Sequence, residues 1–168
     1  MKEYGSKNIR NIALVSHSSA GKTILTEAFL HFTGVTTRMG SINEGNTVSD
    51  FDEEEIRRGF SLYTSVIPIE YRDVKINLLD TPGYTDFIGE MISALSVADS
   101  TLVVVDAVSG YEVGTEVAWS YCDKFNLPRI LLINKMDREN ADFQKSLHSV
   151  QEKVSKRLIP VQLPWGEK

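Results

Sequence analysis

Ile12-Ala13-Leu14-Val15-Ser16-His17-Ser18-Ser19-Ala20-Gly21-Lys22-Thr23 runs from a buried-strand pattern through small residues into an apolar helix. A loop of this kind binds phosphate for physical reasons. Backbone N–H groups of Ser18, Ser19, Ala20 and Gly21 are free to face phosphate oxygens, and the positive end of a helix lies beneath them. Lys22 supplies a cation for the outer phosphates and Thr23 a hydroxyl for Mg2+. Ser16 stands where such loops usually begin with glycine, so this stretch is weighed together with the rest of the chain.

Outward from that loop, Val/Ile/Leu-rich runs recur at Lys75 to Leu79, Leu102 to Val105 and Ile130 to Ile133. Like Ile12 to Val15, each reads as a strand buried on both faces, which implies a parallel sheet. Helical periodicity fills the gaps. Ile24, Ala28 and Phe32 share one predicted face, as do Ile88, Met91, Ile92 and Leu95, then Val113, Val117 and Tyr121, and finally Phe143, Leu147, Val150 and Val154. Alternating strands and helices predict an α/β fold with helices covering the sheet. Ser61 to Arg72 adds a strand separated from Val74 only by a short turn, so an antiparallel hairpin at the sheet edge is expected. Gly34 to Gly59 is long and irregular, which marks a functional loop; Glu53/Arg57 and Glu54/Arg58 predict a short solvated helix inside it. A last extended stretch is expected between Pro160 and Pro164, and packing roles for Trp119 and Trp165.

Two further strand ends carry chemistry. Asp80-Thr81-Pro82-Gly83 follows a buried strand, where a carboxylate can help hold Mg2+ and Gly83 can bring its N–H to a terminal phosphate. Asn134-Lys135-Met136-Asp137 follows another. There Asp137 can accept both donors of a guanine edge, Lys135 can lay its aliphatic stem over the base, and Asn134 can brace the loop. Adenine lacks that donor pair, so Asp137 would be left desolvated and unpaired.

At 168 residues, 42% hydrophobic and with a formal charge of -5, the chain predicts one globular domain without a broad basic face for nucleic acid. Direct sequence-specific nucleic-acid binding is therefore not expected. Cys122 is the single cysteine and has no partner for an internal disulfide. No apolar run reaches the roughly 20 residues of a membrane span, and a soluble, cytoplasmic setting is expected. His17, His31 and His148 lie apart without metal-ligand spacing, so no zinc site is expected.

Taken in order, the phosphate loop, Asp80-Thr81-Pro82-Gly83 and Asn134-Lys135-Met136-Asp137 resemble the GTP-binding domain of translation GTPases, most closely those similar to elongation factor G. Asn46-Thr47-Val48-Ser49-Asp50 and Ile56-Arg57-Arg58-Gly59 resemble that family's first switch region. The resemblance implies a three-layer P-loop NTPase fold of the Ras-like kind, mostly parallel with one antiparallel edge strand. It also implies GTP or GDP with Mg2+, hydrolysis, and the ribosome as partner of the intact protein. Ser61 takes the place of the family's metal-binding threonine beside Thr23 and Asp80. Tyr84 takes the place of the histidine that orients the attacking water, with Gly83 and Lys22 completing the catalytic set. The resemblance further implies that this chain, residues 1–168, ends before the second guanine loop, an inserted subdomain and the domains that follow. Tyr84, Ser16 and that early end support a rival expectation: a non-hydrolysing GTP-sensing interaction module, or an inert fragment.

Overall fold

Residues 2–165 are described by the structure, a computed structural model. Five strands form one sheet in the order β2-β3-β1-β4-β5. They are β1 (Ile9–Val15), β2 (Ser65–Tyr71), β3 (Val74–Asp80), β4 (Ser100–Asp106) and β5 (Arg129–Asn134). β1 lies at the centre, parallel to β3 and β4, with Ile12 beside Leu78 and Leu14 beside Leu102; β5 extends the parallel sheet from β4. β2 is antiparallel to β3 and forms the edge. Arg72 and Asp73 make its two-residue turn, both at positive φ (46° and 62°), the backbone that matches strand twist in a tight hairpin.

Alternation along β1 divides the core. Ala13 and Val15 face one side, packing with Met91, Ala94 and Leu95 of α3 (Ile88–Val97) and with Ala118 and Cys122 of α4 (Val113–Lys124). Leu14 and Leu78 face the other side, against Leu30 of α1 (Lys22–Phe32) and Ile67 and Ile69 of β2. α5 (Phe143–Lys153) packs on β5, and Ser146 Oγ donates to the Ala107 carbonyl at 2.6 Å. This is a three-layer P-loop G-domain architecture, with both faces of a mostly parallel sheet covered.

One predicted helix face is rotated and another holds in part. On α1, Ile24 and Phe32 are exposed, whereas Thr26, Glu27 and Leu30 are buried. On α4, Val117 and Tyr121 pack against the core as expected, but Val113 is exposed and the fully buried positions are Gly114, Thr115, Ala118 and Cys122. The reason is closeness: a Cβ on Gly114 would stand 2.7 Å from His17 Cα, so α4 presents small residues to the phosphate loop. The short solvated helix exists as α2 (Glu53–Arg58), but Arg57 and Arg58 both pair with Glu54 rather than dividing between Glu53 and Glu54. No strand forms between residues 160 and 164, and Trp165 is fully exposed rather than packed. Trp119 does pack against the core, with the Arg129 guanidinium 4.4 Å from its ring.

Candidate nucleotide-binding site

Because β1, β3, β4 and β5 run parallel, their carboxyl ends deliver four loops to one rim of the sheet. A cleft of about 550 Å³ lies there, lined among others by Ser18, Ser19, Gly21, Lys22, Gly83 and Lys135. The phosphate loop takes its shape from positive φ at Ser19 (61°) and Gly21 (102°), after which α1 starts at Lys22. The first N–H groups of a helix have no intrahelical acceptor, so this terminus is suited to anions. Ala20 is buried in the turn.

Lys22 is almost fully buried. Its Nζ donates to Ser16 Oγ at 2.8 Å and to the His17 carbonyl at 3.4 Å. Burial pulls its pKa down to about 8, with the charges of Asp80 and Asp50 acting the other way. Gly83 closes on the same group: a Cβ there would lie 2.6 Å from Lys22 Nζ and 2.7 Å from Ser18 Cα. No side chain fits, which explains glycine in the turn after β3.

Asp80 is 1% exposed, and neither carboxylate oxygen meets a hydrogen-bond donor in good geometry. Burial raises its pKa to about 6 against the Lys22 charge, and the nearby Ser49 and Thr23 hydroxyls favour the ionised form. Thr23 Oγ1 and Ser61 Oγ stand 3.3 Å apart, and Ser61 donates to Asp50 Oδ1 at 2.7 Å. A buried carboxylate without a well-formed hydrogen bond, near the Thr23 hydroxyl and its Ser61 neighbour, is a set of hard oxygens that fits a small divalent cation. The acidic run 50–55 is thus only partly a solvated face, since Asp50 and Glu55 are buried.

In the loop expected to meet guanine, Asn134 Nδ2 donates to the Ala20 carbonyl at 3.0 Å and braces the phosphate loop. Lys135, at φ 62°, sends Nζ to the Ser19 carbonyl and, at 2.8 Å, to Asp106 Oδ2. Asp137 is exposed beside the cleft rather than among its lining residues. Tyr84 lines the cleft at 40% exposure, and its ring stacks at a tilt on Phe60, centroids 4.6 Å apart. His17 sits on the phosphate loop with Nε2 3.6 Å from Glu112, while His31 and His148 are on the surface.

Several residues that shape the cleft and its loops lie outside every sequence motif. Glu27, 1% exposed, accepts N–H bonds from Gly40 (2.7 Å) and Val48 (2.6 Å), so it ties the long loop to α1. Glu55 accepts from Leu62 at 2.8 Å and Tyr63 at 3.1 Å. Phe60, which packs on Tyr84, and Asp106 also stood outside every motif. Asp106 had a signal: it ends the strand between the phosphate-loop strand and the guanine-loop strand, the placement that singled out Asp80.

A family model described as the elongation factor Tu GTP binding domain matches residues 7–163. The chain belongs to the elongation factor Tu GTP-binding domain family. Ribosome-releasing factor 2, mitochondrial, from Culex quinquefasciatus is 40% identical over 158 residues, spanning 94% of this chain and 21% of that protein. Elongation factor G from Granulibacter bethesdensis is 38% identical over 160 residues, spanning 95% of this chain and 23% of that protein. A crystal structure from Thermus thermophilus superposes with a TM-score of 0.90 at 40% identity, covering 95% of this chain and 24% of that one. This member of the GTP-binding domain family therefore spans between a fifth and a quarter of the length of these relatives. Among the described residues, no helix is long and apolar enough to cross a membrane.

Proposed function

We propose that the chain binds GTP and GDP with Mg2+ and hydrolyses GTP as the switch domain of a translation factor that works on the ribosome. The observation that carries this reading is Asp80, buried with neither oxygen in a well-formed hydrogen bond, beside Lys22 and the Thr23 hydroxyl, which itself stands 3.3 Å from Ser61 Oγ. An unsatisfied buried carboxylate is costly unless a ligand completes it. Thr23, Ser61 and Asp80 would hold the metal, which supplies charge neutralisation for the phosphates. Lys22 and the backbone of residues 18–23 grip the phosphate oxygens, and Gly83 gives its N–H to the terminal one. Asn134, Lys135 and Asp137 select guanine. Tyr84 occupies the water-orienting position and offers a hydroxyl where the family's histidine offers an imidazole. The catalysis is positional and electrostatic. Names of the relatives point to ribosomal work in translation, and the cytoplasm is the expected setting, although mitochondrial factors stand among those relatives.

Tyr84 also favours a second reading, a GTP-sensing module that does not hydrolyse. Single-turnover GTP hydrolysis with and without ribosomes separates the two. The switch reading expects hydrolysis that ribosomes accelerate and that Tyr84→Phe slows roughly ten- to hundredfold, the loss of one positioned hydroxyl. Equal, unstimulated background rates for both proteins would establish the sensing module instead.

A further inference from the structure

We propose that Asp106 is a positioning residue of the nucleotide site: it fixes the Lys135 side chain, and through it sets how long a guanine nucleotide stays bound. This rests on the reading that the cleft takes a guanine nucleotide. Asp106 is the last residue of β4 and lies in register with Asn134 at the end of β5. It is 6% exposed, and its two oxygens have separate tasks. Oδ1 accepts the Val108 N–H at 2.8 Å and shapes the turn that leaves the strand. Oδ2 accepts from Lys135 Nζ at 2.8 Å, with Arg138 Nη1 3.6 Å away.

Lys135 needs such an anchor. Its backbone is left-handed (φ 62°), a conformation that a side chain with a Cβ adopts only when its surroundings hold it there. Its ammonium bridges two supports, Asp106 and the Ser19 carbonyl. Ser19 belongs to a loop that is itself at positive φ (61°), whereas Asp106 ends a strand paired in the sheet. Asp106 is therefore the rigid end of the bridge. Held at both supports, the lysine lines the cleft, its Cε 3.5 Å from where a Cβ on Gly21 would stand. Release of the Asp106 end frees the stem that covers the base and loosens the Ser19 carbonyl at the same time. The charged anchor is a short, partly desolvated ion pair, which makes its removal felt more than that of a surface pair.

Asp106→Asn separates the two tasks. The amide oxygen must take the Val108 N–H, so the amide nitrogen, a donor, is turned toward the Lys135 ammonium. The test is release of methylanthraniloyl-GDP, with Mg2+ present, from the parent chain, D106N, K135M and D106N/K135M, together with the melting of each nucleotide-free chain. D106N is expected to speed release roughly tenfold while still melting cooperatively, as loss of one charged hydrogen bond implies. In the K135M background the same substitution is expected to change release by less than about twofold, because the two residues act as one unit. Parent-like release from D106N, an equal acceleration in both backgrounds, or a D106N chain that does not fold would each overturn the assignment. A parent chain that does not bind the labelled GDP would instead defeat the guanine-nucleotide reading, and this inference with it.

Discussion

Asp106 and Lys135 show how a charge contributes to stability when it is held rather than merely near. Burial raises the Asp106 pKa, but hydrogen bonds from Lys135 and the Val108 N–H, together with the lysine charge, bring it to a net value below the ordinary 3.8. A depressed carboxyl contributes stability that is present above the unfolded value of about 3.8 and is lost as pH falls through the lower folded value. The stability deficit of Asp106→Asn relative to the parent is therefore expected to be constant from neutral pH to about pH 4 and to shrink below it, as read by urea unfolding across pH. A deficit that persists unchanged in strong acid would deny the ion pair any part in stability. Such residues leave little trace in a sequence. Asn134, Lys135 and Asp137 could be proposed from the sequence because four adjacent letters suggest their chemistry, whereas Asp106 pairs with a residue 29 positions away.

At the scale of elements, the strands were legible and some helix faces were not. Continuous Val, Ile and Leu runs favour a covered parallel sheet, so all four parallel strands could be read directly, but the expected burial on both faces fails for β5, which is an edge strand with Ile130 65% exposed. α1 could not, because the residues it buries include Thr26 and Glu27, which no hydrophobic pattern selects. Glu27 turns inward because the 34–59 segment presents N–H groups of Gly40 and Val48 that need an acceptor. The 34–59 segment is thus fastened to α1 by a buried carboxylate. Glu27→Gln leaves one acceptor for two donors and is expected to destabilise the segment by roughly 1–3 kcal/mol. Hydrogen exchange of residues 40–64 should quicken while β1 and β4 keep their protection. Uniform quickening across the sheet would mean that Glu27 supports the whole fold instead.

For the whole molecule, a topology built from parallel strands sends the loops after β1, β3, β4 and β5 to one rim, and that convergence makes a single cleft out of residues more than a hundred positions apart. The order of the motifs along the sequence therefore disclosed where they meet in space. What it did not disclose is the packing around them: Ser16 accepting from Lys22, Phe60 packed at a tilt on Tyr84, and Asp137 exposed to solvent. Exposure of Asp137 makes base selection the most direct test of the account. Equilibrium displacement of labelled GDP, with Mg2+ present, should succeed with GTP and fail with ATP at the same concentration. Asp137→Asn should move the preference toward xanthosine nucleotides, since the amide replaces one acceptor by a donor. Displacement by ATP as effective as by GTP, or a base preference indifferent to Asp137, would contradict the claim that these loops form a guanine-nucleotide site.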